Sequence, residues 1–205
     1  MTLDEHLKAR GCLDIAEGYS QQIPNQVYDL KRLISDPKVK TAMEIGFNAG
    51  HSADVFLGAN PSLHLTSFDL GAHEYVTAAK EYIDKTYPSR HTLILGDSTI
   101  TIPAHKQTTY DLIFIDGGHE YEIAKADLLN CRRFAHEDTI VIMDDTIFMN
   151  DKGWLAPFNV GPSRAWLGGI DFDVIVELER HHYRPFRGMA WGKYCFQQSK
   201  VLSLQ

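Results

Sequence analysis

The chain has 205 residues, 44% hydrophobic and 23% charged, which excludes disordered and fibrous classes and leaves room for one domain over 1–205. Twenty Lys+Arg against 27 Asp+Glu give a net charge of −7, a poor balance for gripping a phosphate backbone, so no nucleic-acid partner is expected. No apolar run is long enough for a bilayer, the charged N-terminus is unlike a signal peptide, and Cys12, Cys131 and Cys195 lack CxxC spacing, so a cytoplasmic chain with reduced thiols is expected.

Residues 1–36 read as a helical extension of two short helices, broken near Gly18 and Pro24, with Pro37 ending the second. Over 40–197 the hydrophobic period alternates. Short β-branched runs stand at Thr41–Ile45, Leu63–Phe68, Thr92–Leu95, Leu112–Ile115 and Thr139–Met143. Between them, Val76, Ala79 and Ile83 line one helical face. Ala124, Leu128, Cys131 and Ala135 line another, which makes Cys131 a core thiol. Residues 146–169, with two Trp, two Pro and four Gly, read as a long loop with about one helical turn, a candidate lid. Phe172–Leu178 and Met189–Phe196 are too close for a helical crossover and read as an antiparallel hairpin. The expected fold is α/β: a Rossmann-like, doubly wound, mostly parallel seven-stranded sheet ending in that hairpin.

The first strand ends at Glu44, followed by Gly46, Phe47, Asn48 and Gly50. Glycines at a strand-to-helix turn let a ligand approach the backbone over a helix N-terminus. Asn48 and His51 stand where a dinucleotide fingerprint needs glycine, and Glu44 would oppose a pyrophosphate, so a nicotinamide dehydrogenase fits poorly. A cationic or amino-bearing ligand fits better. The second strand leads to Asp69, 19 residues after Gly50 and placed to accept from ribose hydroxyls; the third leads to Asp97 and Ser98. Alone, the glycines make a tight turn and the two aspartates are loop or cap residues. Their joint occurrence at successive strand ends favours one ligand cleft.

These residues together resemble the class I S-adenosylmethionine-dependent methyltransferases over roughly 40–197. The resemblance implies S-adenosylmethionine as cofactor. Its methionyl part would lie on the turn of Glu44, Gly46, Phe47, Asn48 and Gly50, its ribose on Asp69, and its adenine at Asp97 and Ser98; Asp116 completes the set.

The fourth strand runs into Asp116, with His119 beyond it, and the fifth into Asp144, Asp145 and Thr146. Neighbouring carboxylates repel unless a cation neutralises them. Hard oxygen ligands without Cys favour Mg²⁺, Mn²⁺ or Ca²⁺ over zinc. Such an ion would acidify a substrate hydroxyl and aim it at a methyl group. Equally, Asp144 and Asp145 would cap a turn with Thr146, and His119 a helix near Tyr121. The pattern is similar to metal-dependent O-methyltransferases, and to the broad group called methyltransferase family 24. That resemblance implies a divalent ion on Asp116, Asp144 and Asp145, and His119 as general base beside Asp116; His181 and His182 are alternative bases. The catechol type uses a nearby Lys, but the first here is Lys125; Asp144-Asp145 in place of Asp-Asn is closer to the sugar type.

Trp154, Trp166 and Phe158 line a substrate pocket or anchor their loop. Arg180, Arg184 and Arg187 with His181 and His182 read as a basic hairpin tip, either solvated or facing an acidic substrate or partner. The expected activity is metal-assisted O-methylation of a small-molecule acceptor, and a homo-oligomer is compatible with it. The rivals are a cephalosporin-hydroxylase-like metal oxygenase and a non-catalytic S-adenosylmethionine-binding protein.

Overall fold

The computed structural model describes residues 1–15, 23–106, 108–147, 156–183 and 186–196. Helix α1 (Leu3–Ala9) opens on a capping box: the Glu5 backbone N–H donates to Thr2 Oγ1 at 3.2 Å and the Thr2 N–H to Glu5 Oε2 at 2.8 Å. A short 3₁₀ turn (Leu13–Ile15) precedes α2 (Pro24–Ile34). Pro24 stands in the first turn of α2, where its missing N–H costs nothing, so it starts this helix rather than breaking one. Gly18 lies outside the described residues.

The core alternates as its hydrophobic period predicts. Strand β1 (Thr41–Ile45) leads to α3 (His51–Ala59), β2 (His64–Asp69) to α4 (Glu74–Thr86), and β3 (His91–Leu95) to α5 (Ser98–Ala104). Then come β4 (Tyr110–Ile115), α6 (Tyr121–Cys131), β5 (Ala135–Asp144), α7 (Pro157–Asp171), β6 (Ile175–Tyr183) and β7 (Arg187–Tyr194). The seven-stranded sheet has the order β3-β2-β1-β4-β5-β7-β6. Strands β1 to β5 pair in parallel, and β7 runs antiparallel to both β5 and β6. The winding reverses between β1 and β4, which opens a crevice beyond their carboxyl ends.

Two apolar layers cover the sheet. One holds Leu7, Leu30, Ile34, Phe56 and Ile83 against Phe114 and Trp191. The other holds Leu128, Cys131, Phe134 and Trp166 against Met43, Ile113 and Met143. The expected helical faces are buried at Val76, Ala79, Ile83, Ala124, Leu128 and Cys131, but Ala135 already opens β5. No helix among the described residues is long and apolar enough to cross a membrane.

Several expectations need correction. The expected loop over 146–169 is mostly helix, since α7 runs from Pro157 to Asp171. Pro157 sits in its first turn, and tertiary packing outweighs the cost of Pro162 and the glycines. Trp166 is fully buried and its indole N–H donates to Glu177 Oε2 at 2.6 Å, so it belongs to the core and lines no substrate pocket. Trp154 lies outside the described residues. The hairpin strands reach closer to the turn than expected, with Tyr183 paired to Arg187. The basic tip is not a free cationic patch: Arg180 Nη2 meets Glu177 at 2.7 Å, His181 Nδ1 meets Asp29 at 2.7 Å, and Arg187 turns inward. Arg184 lies outside the described residues.

Gly161 explains how α7 lies so close to the β4–α6 turn. A Cβ there would stand 2.0 Å from the His119 carbonyl oxygen and 2.7 Å from the Tyr121 nitrogen. Neither backbone atom can yield cheaply. Gly161→Ala is expected to lower unfolding free energy by roughly 1–3 kcal/mol through overpacking. A urea midpoint equal to wild type would contradict this contact.

Candidate active site

The carboxyl edge of the sheet carries a cleft of about 330 Å³. It is walled by Gly46 and Asn48 after β1, Asp69 and Leu70 at β2, Gly96, Asp97 and Ser98 after β3, and Asp116 after β4. Gly46 has φ +93°, and a Cβ on it would fall 1.9 Å from the Asp116 carbonyl oxygen, so only glycine lets β1 and β4 close there. Asn48 takes φ +50°, a region that tolerates Asn, and its N–H donates to Asp69 Oδ2 at 2.8 Å. The Gly71 N–H donates to Asp69 Oδ1 at 2.8 Å. The Asp69 carboxylate is thus held in place, with lone pairs left for hydroxyl donors. Asp97 caps α5 by accepting from the Thr99 N–H at 2.8 Å and hydroxyl at 2.7 Å, which holds its carboxyl below the usual range. It is a cap and a cleft residue at once.

Three residues expected at the cofactor turn stand behind it. Glu44 is fully buried, and its two oxygens accept from Ser52 Oγ and Ser67 Oγ, each at 2.5 Å. Phe47 is buried and stacks on His91 with centroids 5.0 Å apart. Gly50, at φ +79°, caps α3 against the Phe47 ring. Conversely, His73 and Tyr75 line the cleft and stack at 4.8 Å. The sequence marks Tyr75 only as the neighbour of an apolar face, so nothing local singles it out.

A second cavity, about 10 Å³, adjoins the first. Asp116 stands in the wall of both. The small cavity is lined by Asp116, His119, Asp144, Asp145 and Pro162 among others, and its volume suits one water-sized guest. Donor atoms of Asp116, His119 and Asp145 lie within 4.8 Å of one another. Asp144 shares the cavity, but its Oδ1 accepts from Gln26 Nε2 at 2.7 Å. The carboxylate oxygens suit a hard divalent ion such as Mg²⁺ or Mn²⁺ in type.

Burial, then repulsion from Asp144 and Asp145, holds the Asp116 carboxyl well above its ordinary range. Burial and the Asp145 charge push Asp144 up to about 7, against the pull of Arg187. His119 moves upward because its ring bonds to Asp145, with Nε2 3.1 Å from Oδ2. Asp145 itself takes φ +56°, and the Asn159 side-chain amide donates to its carbonyl at 3.0 Å. His181 and His182, the alternative bases, lie on β6; His181 bonds to Asp29 on α2, away from these acids.

Sequence reasoning missed Arg187 and Gln26. Arg187 Nη1 donates to Asp145 Oδ1 at 3.0 Å, and its guanidinium carbon lies 5.7 Å from the Phe158 ring centroid. Phe158 in turn sits 5.8 Å from the His119 ring, so of the two described aromatics considered, Trp166 and Phe158, it is the one placed at the site. Nothing local marks Gln26 as a partner of an acid 118 residues away.

Residues 43–146, 104 of 205, match a methyltransferase-domain family. The chain belongs to that family and is a class I S-adenosylmethionine-dependent methyltransferase. Its fold is shared by the Bacillus cereus O-methyltransferase solved with S-adenosylhomocysteine: TM-score 0.68, 18% identity, covering 93% of this chain and 90% of that one. It is also shared by the S-adenosylhomocysteine-bound methyltransferase PaMTH1 of Podospora anserina: TM-score 0.67, 19% identity, covering 95% and 88%. The TDP-rhamnose 3'-O-methyltransferase CalS11 of calicheamicin biosynthesis aligns with TM-score 0.60 at 20% identity, covering 82% and 77%. No curated protein sequence matches the chain significantly.

The buried Glu44 makes stability depend on pH. Burial raises its pKa from 4.5 to about 7. A raised folded-state pKa means the folded chain holds this proton more tightly. The stability it contributes is full below about pH 4.5 and is lost as pH rises through about 7. Urea unfolding should therefore show wild type losing roughly 3 kcal/mol relative to Glu44→Gln between about pH 4 and 8. Parallel pH profiles for the two proteins would sink this assignment.

Proposed function

We propose that this enzyme transfers the methyl group of S-adenosylmethionine to a hydroxyl oxygen of a small molecule, with a divalent cation assisting. The observation that carries the reading is Asp116, which walls both the cofactor cleft and the acid–histidine cavity. A methyl donor in the first lies next to proton-accepting groups in the second.

In this reading the turn from Gly46 to Gly50 carries the methionyl part, with Asn48 in the cleft wall and Glu44 and Phe47 supporting it from behind. Asp69 accepts from the ribose hydroxyls. Asp97 and Ser98 border the adenine. The acceptor oxygen attacks the methyl carbon in line with the carbon–sulfur bond. That bond's electron pair stays on sulfur and leaves S-adenosylhomocysteine. His119 takes the hydroxyl proton at Nδ1, while its Nε2–H, assigned from the 3.1 Å contact, donates to Asp145 and steadies the imidazolium. Asp116, Asp144 and Asp145 would hold the ion, which supplies Lewis acidity that lowers the hydroxyl's pKa. The sugar-methylating activity in the name of CalS11 supports oxygen as the acceptor atom.

Titration calorimetry tests the cofactor assignment first. S-adenosylhomocysteine should bind saturably, and Asp69→Ala should weaken it on the order of tenfold or more. No heat at millimolar ligand would remove the cofactor assignment.

The chemistry is tested on a panel of sugar and phenol acceptors by product mass, which should rise by one CH₂. A product gaining oxygen would favour the hydroxylase reading instead. His119→Ala should lower kcat by about 10²–10⁴ while leaving S-adenosylhomocysteine affinity intact. A chelator should abolish turnover and Mg²⁺ restore it; turnover unchanged in chelator would rule out the ion.

A further inference from the structure

The acid cluster already holds a cation of the protein's own. Arg187 opens β7, and its guanidinium lies over Phe158 and donates to Asp145 Oδ1 at 3.0 Å. Its side chain is 19% exposed and that of Asp145 is 2% exposed. The other Asp145 oxygen meets His119 Nε2 at 3.1 Å. Both oxygens of this carboxylate are therefore engaged by basic side chains. Asp144 Oδ1 is engaged by Gln26. Burial works against the charge on Arg187, but Asp145, Asp144 and Asp116 outweigh it and keep the guanidinium protonated.

A divalent ion that uses Asp145 must therefore share or displace the guanidinium. Two cations on one buried carboxylate repel, and in a site with little water that repulsion is poorly screened. We propose that Arg187 is a resident counter-ion that neutralises the acid cluster in the metal-free enzyme and competes with the divalent ion for Asp145, so that metal binding weakens the guanidinium's hold on Oδ1. The inference rests on the metal-assisted reading above. It adds that the site's metal affinity is set by an arginine from the antiparallel hairpin rather than by the number of acids alone. Arg187 is a positioning residue here, acting through Asp145.

The test uses the full chain and Mn²⁺ alone, followed by calorimetry and by the electron paramagnetic resonance signal of free Mn²⁺. Arg187→Gln should bind Mn²⁺ on the order of tenfold more tightly than wild type, because a competing charge is gone. Without metal its melting temperature should fall, and saturating Mn²⁺ should raise it by more than it raises wild type. Arg187→Lys keeps the charge and should stay within about threefold of wild-type affinity. Equal affinity in wild type and Arg187→Gln overturns the competition and leaves the metal site standing. No Mn²⁺ binding by either protein overturns both ideas. Should Arg187→Gln fail to fold, wild type suffices: saturating it with Mg²⁺ should shift the Arg187 Nε–H resonance, and an unmoved resonance overturns the proposal.

Discussion

The crowding of carboxylates at one edge of the sheet is the constraint on which the candidate site depends. Strands β4 and β5 are parallel neighbours, so Asp116, Asp144 and Asp145 reach the same end of the sheet. Two like charges about 4 Å apart near a protein surface repel by about 4 kcal/mol. That is a large share of a typical domain's net stability. The fold offsets it in three ways. Arg187 brings a positive charge, Gln26 brings a donor to Asp144, and His119 shares Asp145. Burial first, and the repulsion that is left second, displace Asp116 and Asp144 upward.

The same constraint links cofactor and chemistry. Gly46 lets the β1 turn lie against the Asp116 backbone, and the Asp116 N–H donates to the Ile45 carbonyl at 2.9 Å. The larger cleft and the acid cavity therefore share a wall of backbone and one side chain. Behind that wall, Glu44 joins β1 to β2 and α3 through Ser67 and Ser52. It supports the cleft from the core, where its protonation is tied to folding. An acid in this first position can thus serve the cofactor turn by bracing it rather than by touching a ligand.

The N-terminal helix and the C-terminal hairpin form a second support. Asp29 on α2 accepts from the Tyr183 hydroxyl at 2.6 Å and pairs with His181 at 2.7 Å. Gln26, one turn earlier on the same helix, reaches Asp144. One short helix therefore ties the edge of the sheet to the acid cluster, so the extension is part of the site's frame.

Much of the fold was legible in the sequence, because strand and helix periods are local properties of the chain. The five parallel strands, the closing hairpin and the strand-end acids Asp69, Asp97, Asp116, Asp144 and Asp145 could all be read residue by residue. Helix α7 was hidden because its prolines and glycines argue locally against a helix, whereas Gly161 and Trp166 are selected by what they pack against. Arg187 read as part of a basic tip, solvated or facing an acidic partner, and its actual partner Asp145 is 42 residues away, brought near only by the β5–β7 pairing. Gln26 carried even less signal, since a glutamine's role depends on its neighbours. Which strand ends carry charge is written in short runs of residues. Which charges meet is settled by packing, because pairing across a sheet depends on distant segments that local composition does not encode.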